Sequence, residues 1–263
     1  MRYLRMTGAF IRASALQELA YRANFLINLA NSGLNLAVSI AGLAVLFTQV
    51  QSVRGWTFPS ILALLGVFLT VSALGGMVVR PSFEAMMGMD GEMLTGRLDF
   101  ALLRPASIQF LASFRVWRLF QVVDLLLGLG VLAAAVTRPG QSLSAAQIGL
   151  FALTLAASLV MIYGLLLAFT ALTFWSPGVL FTWIFDAIFQ LARYPVGIYP
   201  AWLRIFLTWA FPVVVMTTLP AQALTGDLPL AMALYSLAAA GVILVGASLL
   251  FRQGLKRYNS ASS

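Results

Sequence analysis

The polar and apolar positions of this chain follow one another in long blocks. Every residue between Arg22 and Arg54 is uncharged, and so is every residue between Arg54 and Arg80. A helix needs only about 20 apolar residues to cross the hydrocarbon core of a bilayer. The blocks therefore predict an all-α, polytopic membrane protein.

The apolar blocks predict six transmembrane helices in a single domain, residues 1–263. The predicted spans are residues 24–48, 58–79, 117–136, 147–174, 178–194 and 229–251. Prolines at positions 195, 200, 212 and 220 interrupt the apolar stretch before the last span. We therefore expect residues 200–225 to form an external re-entrant segment, with two short helices over 201–224, because irregular backbone at membrane depth must be covered by protein or a water-filled cavity. A second interpretation makes 201–220 a full crossing and gives seven spans.

The basic residues indicate the orientation of the chain. Twelve of its 16 arginines and lysines lie in residues 2–22, 80–118 and 252–257, which six crossings place on one side. The positive-inside rule makes that side cytoplasmic, so both termini are predicted to be cytoplasmic. Within residues 1–23, Arg2, Arg5 and Arg12 oppose apolar residues on a helical wheel. This pattern is typical of an interfacial helix on the cytoplasmic leaflet.

The composition excludes most chemistry on this chain. A hydrophobic content of 61% with only 9% charged residues lies far outside the range of soluble domains. There is no cysteine and no histidine, so thiolate nucleophiles, imidazole bases and the usual zinc and haem ligands are missing. Because Lys256 is the only lysine, the phosphate-binding G-x-x-x-x-G-K-[ST] loop cannot occur. We expect no catalytic residue, no metal site and no cofactor here, and ATP could bind only to another subunit.

One hydrophilic segment, residues 80–116, stands out between the second and third spans. Residues 80–118 hold nine of the 24 charged residues, and four of the ten methionines lie between positions 86 and 93. Unbranched thioether side chains adapt to the surface of a partner. The segment therefore suits a docking surface for a moving protein, and the alternative is a solvated loop against the lipid headgroups.

Two rows of polar residues lie inside predicted spans. Asn24, Asn28, Asn31 and Asn35 recur at helical spacing on one face of the first span, as a polar strip along a translocation pathway or as hydrogen-bonding contacts between helices. On the fifth span, Asp186, Gln190 and Arg193 have the same spacing and could form a relay or a structural ion pair. Asp124, near the start of the third span, is predicted to reach toward Arg115 or Arg118.

Several motifs resemble a known family when they are read in order. Residues 96–105, Gly-Arg-Leu-Asp-Phe-Ala-Leu-Leu-Arg-Pro, resemble the pattern that follows the second span in permease subunits of type-2 ABC transporters, the group with the type V exporter fold. Residues 199–204, 210–212 and 220–224 resemble the external re-entrant segment of that family. Residues 21–26 and 254–262 are similar to a viologen-exporter-like subgroup. Arg97 stands where the family pattern has a small hydroxyl residue.

The resemblance implies a transport subunit without a motor of its own. Two permeases, identical or paralogous, would sit on two ABC ATPase subunits that bind ATP and Mg²⁺. The complex would export an amphipathic, drug-like or lipid-like solute across a bacterial inner membrane. The coupling helix would contact the ATPase through Phe83, Glu84, Met86, Met87, Asp90, Glu92, Arg97, Leu98 and Asp99. The translocation pathway would include Asn28, Asn31, Asn35 and Asp186.

Two other classes of function compete with this reading. A nucleotide-independent channel or ion-coupled carrier would need a deeply buried acid, and Asp186 is the only candidate at mid-span. A membrane enzyme of lipid metabolism would need grouped acids. Asp90, Glu92 and Asp99 are the only such group, and their spacing matches no metal site.

Overall fold

The computed structural model describes residues 2–20, 22–88, 91–137, 143–179, 181–226 and 228–258, and within these ranges every regular element is helical. The α-helices are α1 (Arg2–Ala20), α2 (Arg22–Gln49), α3 (Phe58–Val78), α4 (Arg80–Met87), α5 (Leu98–Leu102), α6 (Ile108–Phe114), α7 (Val122–Val136), α8 (Ala145–Leu172), α9 (Phe181–Phe189), α10 (Ala201–Ile205), α11 (Leu219–Thr225) and α12 (Leu230–Arg257). Short 3₁₀ turns cover Leu119–Gln121, Gln190–Arg193 and Val196–Ile198, and π-helical segments cover Phe206–Ala210 and Val214–Thr218.

Within the described ranges, five helical stretches are long and apolar enough to cross a membrane. They are Ala23–Gln49, Phe58–Val78, Leu119–Val136, Ala145–Leu172 and Leu230–Arg257. These agree with five of the six predicted spans, at residues 24–48, 58–79, 117–136, 147–174 and 229–251. We call the end of the bundle that carries residues 80–118 the basic end, and the opposite end the far end.

The predicted fifth span, residues 178–194, is not one membrane-crossing helix. The described part contains α9, of nine residues, followed by the four-residue turn Gln190–Arg193. Thirteen residues are too few for the hydrocarbon core, which needs about 20. Pro195 follows directly and cannot continue the helix.

The predicted re-entrant segment contains two helical arms, Ala201–Ala210 and Val214–Thr225, bent by 76° at a break that contains Pro212. At the break, Phe211 packs on Phe169 near the end of α8. The second arm then runs back along α8, so that Gly226 meets Gln147 near the start of that helix. Residues 181–226 thus make one net passage from the basic end to the far end in several pieces, and α12 returns to the basic end.

The core of the bundle is built on α3 and α8. In the apolar 18-residue stretch of α3, two thirds of the residues are buried, and in that of α8 half are buried. Small residues allow close contact between α3 and α7, as is common in membrane bundles. A Cβ on Gly128 of α7 would lie 2.7 Å from the backbone nitrogen of Thr70, and a Cβ on Gly66 would lie 2.8 Å from that of Leu132.

Gly128→Ala is expected to destabilise the protein, because its methyl group would push into the backbone of α3. Overpacking of this kind costs about 1–3 kcal/mol, which corresponds to a fall of about 3–10 °C in melting temperature. Gly130→Ala is the matched control on the same helix, since nothing lies within 4 Å of its built Cβ. Thermal unfolding in detergent compares the two, and equal melting temperatures would contradict the tight α3–α7 contact.

Candidate functional site

The inner face of α4 belongs to the core of the protein. Phe83, Met86 and Met87 are buried, and so are Met93 and Leu98 further along the chain. Phe83, Met86, Met87 and Leu98, which were predicted to contact a partner, are buried within this chain, because an amphipathic α4 turns its thioethers inward, where unbranched side chains fill gaps between helices. Met89 and Asp90, also part of the predicted docking segment, lie outside the described residues.

Two acids of this segment hold it to the chain before α7. Glu84 pairs with Arg118 at 2.6 Å, and Glu92 forms a bidentate pair with Arg115 at 2.8 and 2.9 Å. The backbone N–H of Val116 also donates to Ser82 Oγ at 2.8 Å, and Ser82 Oγ donates to the Val116 carbonyl at 3.0 Å. Two of the acids predicted for docking, Glu84 and Glu92, therefore form ion pairs within this chain.

The surface that projects beyond α4 is apolar and carries arginines. We call it the 94–104 surface. Phe100 is 69% exposed and Leu103 is 82% exposed, whereas Asp99 is only half-exposed. Its exposed members are Leu94, Thr95, Arg97, Phe100, Leu102, Leu103 and Arg104. Phe100 and Leu103 were absent from the predicted contact residues, although both lie in the motif of residues 96–105.

Helix α2 touches the rest of the bundle at few places. Phe25 contacts Phe120 near the basic end, and Phe47 contacts Phe58 at the far end. Only 6% of the residues in its apolar 18-residue stretch are buried, and the asparagines at positions 24, 28, 31 and 35 are exposed. Ser39, four residues after Asn35, extends the polar row.

A polar groove separates α2 from α9. Asn24 and Asn28 line a cleft of about 680 Å³ together with Thr182 and Trp183 of α9. Eleven residues further along α2, Ser39 Oγ accepts a hydrogen bond from Arg193, which lies eleven residues after Thr182. The equal spacing shows that the two segments run side by side in the same direction. We call the space between them the α2–α9 groove.

The groove opens at the basic end into charged surroundings. Glu84 and Arg118 line the same cleft, and so does Glu18 of α1. The backbone N–H of Phe120 donates to the Glu18 carboxylate at 3.2 Å. Burial raises the pKa of the Glu18 carboxyl above its ordinary value, partly offset by the backbone N–H groups of Phe120 and Leu119 and by the charge of Arg118.

Asp186 does not form the predicted relay with Arg193. Its carboxylate pairs with Arg80, the first residue of α4, at 3.1 Å, and the Arg80 guanidinium also lies 5.9 Å from the ring of Phe185. Arg193 instead donates to Gln190 Oε1 at 3.1 Å. The relay fails because the nearer cation comes from another element, which sequence spacing does not reveal.

Asp124 makes no ion pair within the described chain. It lines a small cleft together with Arg118 and Asn28. Asp124 thus shares a cleft with Arg118, as predicted, but forms no ion pair with it, and Arg115 and Arg118 pair with Glu92 and Glu84 instead.

Among the residues that the structure describes, no group of three or more acids, histidines or cysteines could hold a metal ion. An apolar helical bundle with a polar groove and a charged end is typical of membrane transport proteins. The chain belongs to the ABC-2 family transporter proteins, because the sequence model of that family matches residues 34–262. It is therefore a membrane permease subunit of an ABC transporter, a family that works with ABC ATPase subunits. No curated protein and no solved structure matches the chain.

Proposed function

We propose that this chain is the permease of an ATP-driven exporter that moves an amphipathic, drug-like or lipid-like solute across a bacterial inner membrane. Two permeases, identical or paralogous, would work with two ATPase subunits that hold ATP and Mg²⁺. The basic end would face the cytoplasm, with both termini on that side and α1 at the interface. The type V exporter architecture and the viologen-exporter-like subgroup, which describes a similarity of sequence and not a substrate, belong to the same proposal.

The ATPase would bind the 94–104 surface rather than the methionines of α4. Apolar side chains as exposed as Phe100 and Leu103 usually lie at an interface when they cluster with arginines. An ABC ATPase is the expected partner at this surface, because permeases of this family work with ABC ATPases. Arg97 and Asp99 remain proposed contact residues, and Glu84 and Glu92 would position the segment through their ion pairs.

The Arg80–Asp186 ion pair would transmit movement of the docking segment to the groove. It joins the first residue of α4 to the wall of the α2–α9 groove at 3.1 Å. A push on residues 80–104 by the ATPase would reach α9 through this contact. The groove would open and close between Asn28, Asn31 and Asn35 on one side and α9 on the other. The cleft of about 680 Å³ at its mouth has the size of typical small-molecule sites.

A nucleotide-independent carrier is the second candidate. Its proton or ion site would have to be Asp186, but that carboxylate is paired with Arg80. An ion pair at this distance favours a structural role for Asp186 over a role in which it binds and releases a proton or an ion in each transport cycle.

Purification from native membranes in mild detergent tests the assembly. We expect an ABC ATPase, identified by its phosphate-binding loop and by ATP hydrolysis, to co-purify in equal number with the permease. A permease that purifies alone, under conditions that retain other ABC complexes, would contradict the proposal.

A further inference from the structure

Arg193 is a cation without an anionic partner in the described part of the chain. Its guanidinium donates to Ser39 Oγ at 3.3 Å and to Gln190 Oε1 at 3.1 Å, and it lies 5.3 Å from the ring of Phe68. All three neighbours are neutral. The Nε group is buried and has no hydrogen-bond acceptor. Arg193 therefore retains both an uncompensated charge and a free donor.

The charge of Arg193 lies at the middle of the bundle. Phe68 is the central residue of α3, with ten residues on each side, and is thus about 15 Å from either end of that helix. The neighbouring Ala192 carbonyl accepts a hydrogen bond from Thr217, which fixes the backbone at this depth. An ionised group in the middle of a membrane is costly and normally pairs with an opposite charge.

The acids of the groove do not neutralise this arginine. Asp186 lies on the same segment but pairs with Arg80. At the mouth, Glu84 pairs with Arg118, and Glu18 accepts a hydrogen bond from the backbone N–H of Phe120. The middle of the groove therefore carries a net positive charge and offers no free carboxylate to a cation. Asn35 is one turn before Ser39 on the same face of α2 and is exposed, so its amide could add a donor.

We propose that Arg193 is the anion-binding residue of the groove, and that the transported solute is an amphipathic anion with a phosphate or carboxylate headgroup. The proposal rests on the transport function proposed above. The planar guanidinium matches the oxygens of such headgroups. Ser39, Gln190 and Asn35 surround the headgroup, and the apolar part of the solute lies against α2 and the adjoining lipid.

Binding to the chain alone tests this site. The permease is placed in nanodiscs of zwitterionic phosphatidylcholine without its ATPase, and binding of radiolabelled dodecyl phosphate is measured. We expect the wild type to bind this probe, with dodecyltrimethylammonium failing to compete. Arg193→Gln is expected to weaken binding at least about tenfold. Arg193→Lys is expected to retain part of the binding, because a lysine keeps the positive charge but lacks the planar guanidinium that can bind two oxygens at once.

Arg204→Gln is the matched control, since it removes an exposed arginine from the neighbouring α10 and should leave binding unchanged. Displacement of the probe by inorganic phosphate alone would overturn the amphipathic part of the proposal and indicate a free-phosphate site. Equal competition by the cationic probe, or unchanged binding by Arg193→Gln, would overturn the site itself. If Arg193→Gln does not fold, the site is tested by two other results: the preference of the wild type for the anionic probe and the affinity of Arg193→Lys for it. Because no ATPase is present, a failure of ATP-driven transport would not affect these results.

Discussion

Leu103→Asp is expected to release the ATPase from the permease and abolish ATP-dependent transport. Leu103 is the most exposed of the large apolar side chains of the 94–104 surface, at 82%. Loss of an apolar anchor at the centre of an interface costs about 2 kcal/mol or more, which is roughly a thirtyfold loss of affinity. An aspartate there would also have to be desolvated. Co-purification of the two subunits and ATP-dependent transport in proteoliposomes measure the effect, and Phe100→Asp should behave in the same way.

The control for this variant is Val50→Asp at the far end, where Val50 is exposed and no ATPase is expected. It introduces the same charge without touching the proposed interface, so assembly should persist. If Leu103→Asp and Val50→Asp assemble equally well, the 94–104 surface is not the docking site.

Asp186→Asn is expected to reduce ATP-dependent transport at least about tenfold while leaving the ATPase bound. Arg80 is only 16% exposed in its side chain, so removal of its partner leaves a largely buried charge. Breaking a fully buried pair costs about 3–5 kcal/mol, and because Asp186 is one third exposed we expect about 2–3 kcal/mol here. Thermal unfolding and transport are measured on the same preparation.

The exchange variant Arg80→Asp with Asp186→Arg separates coupling from simple loss of charge. It restores opposite charges across the same contact and should recover part of the transport. Asp124→Asn is the control, since that acid makes no ion pair in the described structure and its loss should change the melting temperature little. Full transport by Asp186→Asn would contradict the coupling role of the ion pair.

The membrane helices could be predicted from the sequence because bilayer thickness imposes a constraint on each stretch of chain separately. The uncharged blocks around α2 and α3 were long enough to meet it without any knowledge of packing. Residues 178–194 also appeared long enough, yet α9 ends at Phe189 and continues only as a single turn. Composition does not show where an apolar segment changes its helical geometry or folds back.

The candidate site was only partly predictable, because its contacts join distant parts of the chain. The asparagine row of α2 followed from helical periodicity, but its position opposite α9 depends on tertiary packing. Arg193 was the obvious partner of Asp186 in the sequence, whereas Arg80 is the actual one. Methionines suit an interface and a core equally well, so burial of Met86 and Met87 had to come from the structure.

Transport into proteoliposomes, with and without the ATPase subunits, tests directly whether this chain depends on a separate motor. Dodecyl phosphate should be moved only when the permease, its ATPase, ATP and Mg²⁺ are all present, and a non-hydrolysable ATP analogue should stop it. Transport by the permease alone, at the same rate without nucleotide, would contradict the claim that this chain depends on a separate motor.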